Sequence, residues 1–514
     1  MPNDGGFDWW HRRRRRTAGT ASDIPRGFGP GALDRARDST ACDARQGPPG
    51  WEMASPVATA LRRYSTIILV PDSNAGRMAR EIVARLKRDG HQAYLAGGCV
   101  RDLLLRREPK DYDVATDARP EQVTALFPRS RLVGAHFGVV IVDAETAAVE
   151  VATFRSDHSY LDGRRPEAVE FESDPRQDVL RRDFTINGLL LDPETGEVLD
   201  FVGGREDLRA GILRAIGDPS ARFAEDHLRM LRAIRFAARL GFAIEPATIE
   251  AIRTHHAKIA AISAERVRDE LVRILTEGGA RRGFELLDAT GLLADLLPEV
   301  AAMKGVAQPP EFHPEGDVWT HTLMMLDGLG RPTGTLALAV LLHDVGKPPT
   351  FRVADRIRFD EHPEVGARMA ANILTRLRFP GEAIRQVEAL VANHLRFKDV
   401  LRMRESTLKR FMRLDRFEEH LELHRLDCAM SHRMLDNYEF VRRRFEEAPR
   451  EVLKPKALVT GNDLIAAGYA PGPSFGPMLR ALEDAQLEGS LHTQEEGLAL
   501  VRALFEPPDG RPKA

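Results

Sequence analysis

The sequence predicts a mixed α/β unit in the first half of the chain, followed by a body built from helices. Short runs rich in apolar and β-branched residues are typical of strands and occur at residues 93–96, 139–143 and 148–154. An amphipathic stretch at 73–90 ends at a glycine and predicts a helix ahead of the first strand. From residue 224 onwards apolar residues recur at helical spacing, which predicts the helical body.

The composition is that of an ordinary globular protein. Of 514 residues, 43% are hydrophobic and 29% are charged, and this length allows roughly two to four domains. The sequence has no apolar run of the length that a membrane-spanning helix requires. Three separated cysteines indicate neither a disulfide framework nor a cysteine zinc cluster, and they fit a reducing cytoplasm. Because the net charge is −3, any contact with nucleic acid must use a local basic patch.

Residues 1–52 differ in composition from the rest of the chain. Five consecutive arginines, Arg12 to Arg16, lie among Gly, Pro, Asp and Ser. Such a segment buries too little apolar surface to order itself, so it is predicted to be a disordered basic segment. The alternatives are a basic arm that contacts RNA, or a start codon placed too early, with Met53 or Met78 as the true first residue.

The stretch from Tyr94 to Thr116 has the pattern of a phosphate site. An apolar run ends at Gly97 and Gly98, and apolar residues after it predict a helix. A strand, a glycine turn and a helix N-terminus form a phosphate cradle, because free backbone N–H groups and the helix dipole point at the ligand. Asp111 and Asp113 follow, and on a strand these residues share one face. Two adjacent carboxylates suit Mg²⁺ together with triphosphate oxygens.

Two further features lie downstream of the aspartate pair. Glu150, on the strand predicted at 148–154, supplies a candidate third carboxylate facing the pair, although an alternating strand often carries a glutamate on its outer face. Residues 155–178 are polar and rich in turn formers, which predicts a loop over the site.

The order GGxVRD followed by DYDVAT resembles the catalytic motif of the tRNA nucleotidyltransferases and bacterial poly(A) polymerases, which belong to the DNA polymerase beta-like nucleotidyltransferase superfamily. The resemblance implies a nucleotidyltransferase-fold head at 73–215, a mixed sheet with helices. A second stretch, RRDFTING, matches the family motif RRDxTxNA/G, which contacts the nucleotide sugar and phosphates. The resemblance assigns catalysis and Mg²⁺ binding to the carboxylates, and nucleotide binding to a further set: Asp111, Asp113 and Glu150; Gly97, Gly98, Arg101, Arg181, Arg182, Asp183 and Asn187.

Residues 224–241 predict a helix whose polar side carries Asp226, Arg229, Arg232 and Arg235 at three-residue spacing. A surface stripe of ion pairs, each worth about 0.3 kcal/mol, is one interpretation. The EDxxR pattern also resembles the nucleotide-selecting helix of the class II tRNA nucleotidyltransferases, where an Asp and an Arg act as an amino-acid template. A carboxylate accepts from the exocyclic amine of cytosine or adenine, whereas guanine and uracil present a carbonyl there. The resemblance thus implies nucleotide binding by these four residues, with Asp226 and Arg229 foremost, in a helical neck and body at 216–305 that binds RNA.

A second constellation begins beyond residue 306. Four histidines and two aspartates follow one another in an order that resembles the HD phosphohydrolase superfamily in its two-metal form: His321, His343, Asp344, His362, His394 and Asp427. Imidazole and carboxylate ligands suit Mn²⁺, Fe²⁺, Ni²⁺, Zn²⁺ or Co²⁺, and spacing does not choose among these ions. The resemblance implies an all-α, metal-dependent phosphohydrolase domain at 306–448. Nearby His313, His424 and His432 receive no ligand role, and residues 449–514 predict a C-terminal helical segment.

Taken together, these resemblances imply a template-independent enzyme that adds CCA to the 3′ end of tRNA from CTP and ATP. A poly(A) polymerase and an enzyme that adds only CC or only A share the head motifs and stay open as alternatives. A different class of alternative is an HD phosphohydrolase whose head binds RNA without catalysis. The expected partners are the tRNA 3′ end, CTP and ATP, with no membrane and no protein partner.

Overall fold

A computed structural model of the chain describes residues 70–133, 138–144, 147–160 and 166–505. The predicted basic segment at 1–52 lies outside these ranges. The N-terminal region contains, in chain order, α1 (Asn74–Arg88), β1 (Ala93–Ala96), α2 (Gly98–Leu104), β2 (Asp113–Thr116), α3 (Pro120–Leu126), β3 (Ser130–Leu132), β4 (Val139–Asp143), β5 (Ala148–Thr153), β6 (Arg155–Tyr160), β7 (Pro166–Phe171), α4 (Pro175–Leu180), β8 (Leu189–Leu191), β9 (Val198–Asp200), α5 (Gly204–Ala210) and β10 (Ile212–Leu213).

Seven of these strands form one sheet in the order β3-β4-β5-β2-β1-β8-β9. Strands β2 and β5 pair in parallel, with Asp113 opposite Glu150, and the other described neighbours in the sheet pair antiparallel. Ile82, Val83 and Leu86 of α1 are buried in the same apolar cluster as the inward side chains of the sheet. The sheet therefore fixes the distance between the ends of β2 and β5, where the predicted carboxylates lie.

The expected loop at 155–178 is largely structured in the described residues. Strands β6 and β7 form a separate antiparallel hairpin, and α4 follows it. The prediction was wrong because residues 155–160 and 166–171 pair with each other as a hairpin, and this cross-strand pairing stabilises polar segments that carry no apolar run.

The helical body begins after β10. Its described elements are α6 (Pro219–Glu225), α7 (Leu228–Leu240), β11 (Ala243–Ile244), α8 (Pro246–His255), α9 (Ala264–Thr276), α10 (Ala280–Ala289), α11 (Leu292–Leu296), α12 (Pro298–Ala301), α13 (Val318–Asp327), α14 (Gly334–Leu342), α15 (Lys347–Thr350), β12 (Phe351–Val353), β13 (Ile357–Phe359), α16 (His362–Arg376), α17 (Gly381–Asn393), α18 (Glu405–Met412), α19 (Phe417–Met430), α20 (Asp436–Glu447), α21 (Arg450–Leu453), α22 (Gly461–Ala466), α23 (Phe475–Leu487) and α24 (Gln494–Leu504).

The predicted fold class, an α/β head followed by helical regions, is confirmed. Two short strand pairs interrupt the expected all-α part: β10 with β11, and β12 with β13. The second pair forms because apolar and basic residues alternate on either side of a turn at residues 354–356. Among the described helices, none is long and apolar enough to cross a membrane.

The helical packing brings distant segments together. One buried apolar cluster extends from α1 through α7, α9 and α14 to α19. The last three helices have a cluster of their own, formed by Val459, Leu464, Met478, Leu482 and Val501 with neighbouring residues.

Candidate active site and metal centre

Three carboxylates meet where β2 and β5 begin to pair. Asp113 lies opposite Glu150 in the parallel register, and Asp111 precedes β2 by two residues. Burial and the Glu150 carboxylate raise the pKa of Asp113 to about 6, and Asp111 adds to this effect while Arg182 opposes it. Burial and Asp111 also raise the pKa of Glu150, against the influence of Arg155. Like charges this close favour a bound cation, so the three oxygen donors fit a divalent ion such as Mg²⁺.

The glycine turn before α2 lies against Arg182 of the stretch RRDFTING at residues 181–188, which we call the second motif. Gly97 has a φ of 72°, a left-handed conformation that favours glycine. A Cβ atom on Gly97 would lie 3.0 Å from Nη1 of Arg182. Gly98 is the first residue of α2, and its neighbour Arg101 approaches it from the same helix. The turn thus allows a guanidinium group to reach the position where the pattern predicts phosphates.

A carboxylate that the sequence analysis did not single out holds both arginines of the second motif. Asp178 is buried and accepts from Arg181 and Arg182, at 2.5 and 2.8 Å. Burial favours the neutral acid, but Arg182 and Arg181 hold the pKa of Asp178 below its usual value. The sequence signal for this contact is the spacing, because Asp178 lies in α4, three and four residues ahead of Arg181 and Arg182.

Arg101, Asn187, Asp183 and Arg232 form a chain of hydrogen bonds. Arg101 Nη1 donates to Asn187 Oδ1 at 2.7 Å, and the Asn187 amide donates to Asp183 Oδ1 at 3.1 Å. Arg232 Nη2 donates to Asp183 Oδ2 at 2.6 Å. Burial opposes ionisation, but Arg232 and Asn187 bring the pKa of Asp183 down to about 2. Arg101 is only 3% exposed and therefore lies inside the head. Through Asn187 and Asp183, this series of hydrogen bonds links Arg101 of α2 to Arg232 of α7.

The arginines of the predicted stripe on α7 lie in two different surroundings, one next to the second motif and the other in the core. Residues three apart lag a full helical turn by about 60°, so a stripe of this spacing rotates around the helix. Arg229 donates to Glu225 and to the carbonyl oxygen of Arg181. Arg235, at the far end of the stripe, is buried and donates to Glu270 of α9 at 2.6 Å. The structure therefore brings Arg229 to the second motif and Arg235 into a helix–helix contact.

The Asp226 carboxylate is held in place by Arg266 of α9. Its two carboxylate oxygens accept from Arg266, at 3.2 and 2.7 Å, and one of them also accepts from the backbone N–H of Leu228. Bidentate guanidinium–carboxylate pairs fix orientation as well as charge. The sequence places Arg266 forty residues away, and nothing local in the sequence pairs these two residues.

All six residues of the second constellation lie together. Their donor atoms form two groups in which each atom lies within 4.8 Å of the others: His321, His343 and Asp427; and Asp344, His362 and His394. Asp344 Oδ1 lies 3.6 Å from His362 Nε2 and 3.8 Å from His394 Nε2. His321, His362 and Asp427 lie on α13, α16 and α19, whereas His343 and Asp344 directly follow α14 and His394 directly follows α17.

The backbone sets the orientation of three of these histidine rings. His343, His362 and His394 each donate Nδ1–H to the carbonyl oxygen three residues earlier, at 2.9, 2.8 and 2.6 Å. A carbonyl only accepts, so each Nε2 carries the free lone pair. These Nε2 atoms are buried and make no hydrogen bond to any described residue. Buried lone pairs of this kind, next to aspartates, fit a divalent transition metal.

Lys347 and Glu315 complete the surroundings of this centre. Lys347 Nζ lies 2.7 Å from Asp344 Oδ2 and donates to Gln308 at 2.6 Å. Burial opposes ionisation of Asp344, but His343 and Lys347 hold its pKa well below the usual range. Glu315 Oε1 lies 2.7 Å from His321 Nδ1 and 2.8 Å from His313 Nδ1. The sequence analysis gave no role to Glu315 and none as a ligand to His313.

Comparison with known proteins agrees with this arrangement. Residues 93–214 match the model of the poly A polymerase head domain. Residues 241–304 match a probable RNA-binding site of the same polymerases, and residues 317–420 match the HD domain. Three successive parts of the chain thus match the models of a head domain, of an RNA-binding region and of an HD domain.

The curated proteins that this chain resembles include CCA-adding enzymes. The chain is 46% identical over 215 residues to the CCA-adding enzyme of Geobacillus stearothermophilus, an alignment that covers 42% of this chain and 53% of the relative. It is 43% identical over 207 residues to that of Bacillus subtilis, covering 40% and 52%. The matched part thus spans about half the length of these curated relatives.

Solved structures extend the likeness along the chain. The Bacillus stearothermophilus CCA-adding enzyme in complex with CTP is 28% identical, with a TM-score of 0.64, covering 84% of this chain and 98% of that one. The Thermotoga maritima CCA-adding enzyme complexed with tRNA_CCA shares the fold at 20% identity and a TM-score of 0.54, covering 85% and 97%. The similarity in fold to these structures therefore extends beyond the head.

Proposed function

We propose that this protein is a template-independent nucleotidyltransferase that adds cytidine, cytidine and adenosine to the 3′ end of tRNA from CTP and ATP. The observation that carries the proposal is the parallel pairing of β2 with β5, which sets Asp113 opposite Glu150 beside Asp111. The names of the relatives, CCA-adding enzymes, favour this substrate over others. The proposal divides the chain into a head at 73–215, a neck and body at 216–305, an HD domain at 306–448 and a C-terminal segment at 449–514.

In this proposal the head residues bind and orient, and no side chain acts as a nucleophile. Two Mg²⁺ ions, held by Asp111 and Asp113, supply activation of the terminal 3′-hydroxyl and neutralisation of the triphosphate and leaving pyrophosphate. Arg182, fixed by Asp178, presents positive charge beside the Gly97 turn and receives triphosphate there. Asp183 and Asn187 are fixed by their hydrogen bonds to Arg232 and Arg101, which places the second motif against the nucleotide.

Base selection is assigned to Asp226 and Arg229. The Asp226 carboxylate is a directed acceptor for the exocyclic amine that cytosine and adenine share, because Arg266 fixes its orientation. Guanine and uracil would set a carbonyl against this carboxylate, and such a contact leaves buried polar groups unpaired. Arg229 donates to Glu225 and to the Arg181 carbonyl oxygen, and these contacts support a position of Arg229 next to the second motif.

The test is incorporation of labelled CTP and ATP, separately and together, into a tRNA transcript that lacks its terminal CCA, with Mg²⁺. We expect addition of C, C and A, then arrest, and loss of all addition in the Asp111→Ala/Asp113→Ala variant. Glu121→Ala, an exposed change on α3, is the matched control and should keep full activity. Unlimited addition of ATP to any RNA end would instead identify a poly(A) polymerase, and addition of only CC or only A a partial enzyme.

A second activity, hydrolysis of phosphomonoesters or phosphodiesters, is proposed for the HD centre. The observation that favours it is the set of buried, lone-pair-bearing Nε2 atoms of His343, His362 and His394 around Asp344. A divalent transition metal bound there supplies an activated water for hydrolysis. Release of nitrophenol from bis(p-nitrophenyl) phosphate and p-nitrophenyl phosphate is measured with Mn²⁺, Ni²⁺ and Co²⁺ in turn. We expect His343→Ala to remove hydrolysis and leave nucleotide addition intact; hydrolysis that persists in this variant would refute the assignment.

A further inference from the structure

The residues just before α13 bring a buried carboxylate to the HD centre. Gly316 has a φ of 119°, which turns the chain sharply after Glu315. Asp317 then begins α13, accepting from the backbone N–H of Thr320 at 2.8 Å and from that of Gly305 at 2.6 Å. The turn and the anchored helix start fix the backbone on both sides of Glu315. Its side chain is 4% exposed, although it belongs to a connecting segment.

Glu315 contacts two histidines with one oxygen. Its Oε1 lies 2.7 Å from Nδ1 of His321 and 2.8 Å from Nδ1 of His313, and the two rings meet edge to face at 4.9 Å. His321 is completely buried, and its other nitrogen, Nε2, lies 3.1 Å from Asp427 Oδ1. His321 therefore stands between two carboxylates, one on each ring nitrogen.

The interatomic distances show whether Glu315 can bind the same ion as His321 or only contacts the His321 ring. Two atoms bound to the same ion at about 2.1 Å with tetrahedral angles lie about 3.4 Å apart. The pairs His321–Asp427 and His362–Asp344, at 3.1 and 3.6 Å, are close to this value. The Glu315–His321 pair, at 2.7 Å, is an ion-pair contact clearly shorter than this value, although it lacks the alignment of a hydrogen bond. Glu315 is thus a carboxylate beside Nδ1 of His321, too close to that nitrogen for the two atoms to be co-ligands of the same ion.

His321 differs in this respect from the other three candidate histidine ligands. His343, His362 and His394 donate Nδ1–H to backbone carbonyl oxygens, whereas His321 faces a carboxylate. A carboxylate partner fixes the tautomer of a ligating imidazole and increases its basicity more than a neutral acceptor does. The two groups of candidate metal ligands therefore differ in their surroundings. Only the group of His321, His343 and Asp427 contains a histidine whose Nδ1 faces a carboxylate.

We propose that Glu315 is a positioning residue of the HD centre, which holds His321 ready to bind a metal ion and strengthens binding at the His321–His343–Asp427 group alone. This inference rests on the proposed metal site. His313 contacts the same oxygen of Glu315 through Nδ1 and helps to hold the carboxylate in place. Loss of Glu315 therefore lowers the affinity for the ion at His321, His343 and Asp427, and leaves the affinity for the ion at Asp344, His362 and His394 unchanged.

The test is calorimetric titration of Mn²⁺ into the full chain in the Asp111→Ala/Asp113→Ala background, which removes ion binding at the head. Circular dichroism and thermal melting first establish that each variant is folded. In this background we expect two Mn²⁺ ions per chain. Glu315→Ala should weaken one of them by about 10- to 100-fold and leave the other unchanged. Glu315→Gln, which keeps an uncharged acceptor, should weaken the same ion less.

Glu311→Gln is the matched control, because Glu311 is an exposed glutamate of the same segment, four residues earlier. It should bind both ions as the background chain does. Equal affinity for both ions in Glu315→Ala would overturn the proposal. A third ion that disappears with Glu315→Ala would also overturn it, by making Glu315 a ligand. If the background chain binds no Mn²⁺, it is the proposed metal site that fails, and this inference fails with it.

Discussion

Asp113 bears the largest electrostatic cost among the residues of the head site. It is half-buried and lies opposite Glu150 on the neighbouring strand. Burial together with this carboxylate raises the pKa of Asp113 to about 6. In the unfolded chain the same carboxyl group titrates near 3.8. Between these values the folded protein holds more protons than the unfolded chain, so the metal-free protein loses stability as the pH rises from about 4 to 6.

Asp113→Asn should therefore stabilise the metal-free protein at pH 7 by roughly 1–2 kcal/mol, because the amide cannot ionise. The difference should disappear below pH 4, where Asp113 is protonated in both states. Urea unfolding in the presence of EDTA, at pH 3.5 and at pH 7, measures it. With saturating Mg²⁺ the order should reverse, since the amide is a poorer ligand. Glu121→Gln, an exposed change, should show none of these effects.

Residue-scale roles were only partly predictable from the sequence. Asp111 and Asp113 follow from their spacing, and the parallel register then places Glu150 beside them. The partners Asp178 and Glu315 were missed, because each contacts another charged residue of a site and has no motif of its own. The role of Arg101 within the head likewise depends on Asn187, which is 86 residues away in sequence.

At the scale of elements, α9 is joined by two ion pairs to α7 and to the residue that ends α6. Arg266 pairs with Asp226 between α6 and α7, and Glu270 pairs with Arg235 in the core. Arg266 and Glu270 are one turn apart on α9, so one face of this helix holds both ends of the polar stripe of α7.

Arg266→Ala should release the Asp226 carboxylate and reduce the preference for CTP and ATP over UTP and GTP by about ten-fold, because an unoriented acceptor discriminates less. Single-nucleotide incorporation with each of the four triphosphates measures this ratio. Arg268→Ala, on the same helix and paired with the adjacent Asp269, is the control and should keep the ratio. If Arg266→Ala lowers all four rates equally, the contact is structural and does not affect selection.

Glu270→Ala tests the buried half of the same contact. It leaves the Arg235 guanidinium, which is 4% exposed, without its nearest carboxylate, and Glu277 at 3.5 Å compensates only in part. We expect a loss of about 3 kcal/mol in the free energy of unfolding, since an unpaired buried charge is costly. Chemical denaturation measures the loss. Glu265→Ala, on the first turn of α9, should change stability by less than about 0.5 kcal/mol.

At the scale of the whole molecule, the order of elements was easier to predict than their partners. Strand and helix patterns are local, and the mixed head followed by helices was confirmed. The β6–β7 hairpin was missed because its polar strands are stabilised by pairing, and the β12–β13 hairpin because it is short. The convergence of six candidate metal ligands from separate segments required the packed body, which no local pattern contains.

The C-terminal helices α22 to α24 offer the last test, because they have their own apolar cluster. Charged contacts join α23 to α18. Arg410 binds Glu483 at 2.9 Å and Asp484 at 2.5 Å, and Arg413 binds Glu483 at 2.8 Å. Such pairs are individually weak and are screened by salt, although several converge here. Arg410→Glu replaces two attractive contacts with repulsive ones and should loosen this junction.

We expect Arg410→Glu to accelerate limited proteolysis between α21 and α22 several-fold, while the main thermal transition of the remaining chain changes little. Raising NaCl to 1 M should accelerate cleavage of the unmodified protein in the same place, because the Debye length shortens to about 3 Å. Arg402→Glu is the control, since Arg402 is an exposed arginine ahead of α18. Equal cleavage rates in all three proteins at low salt would mean that apolar packing, and not charge, holds the C-terminal helices to α18.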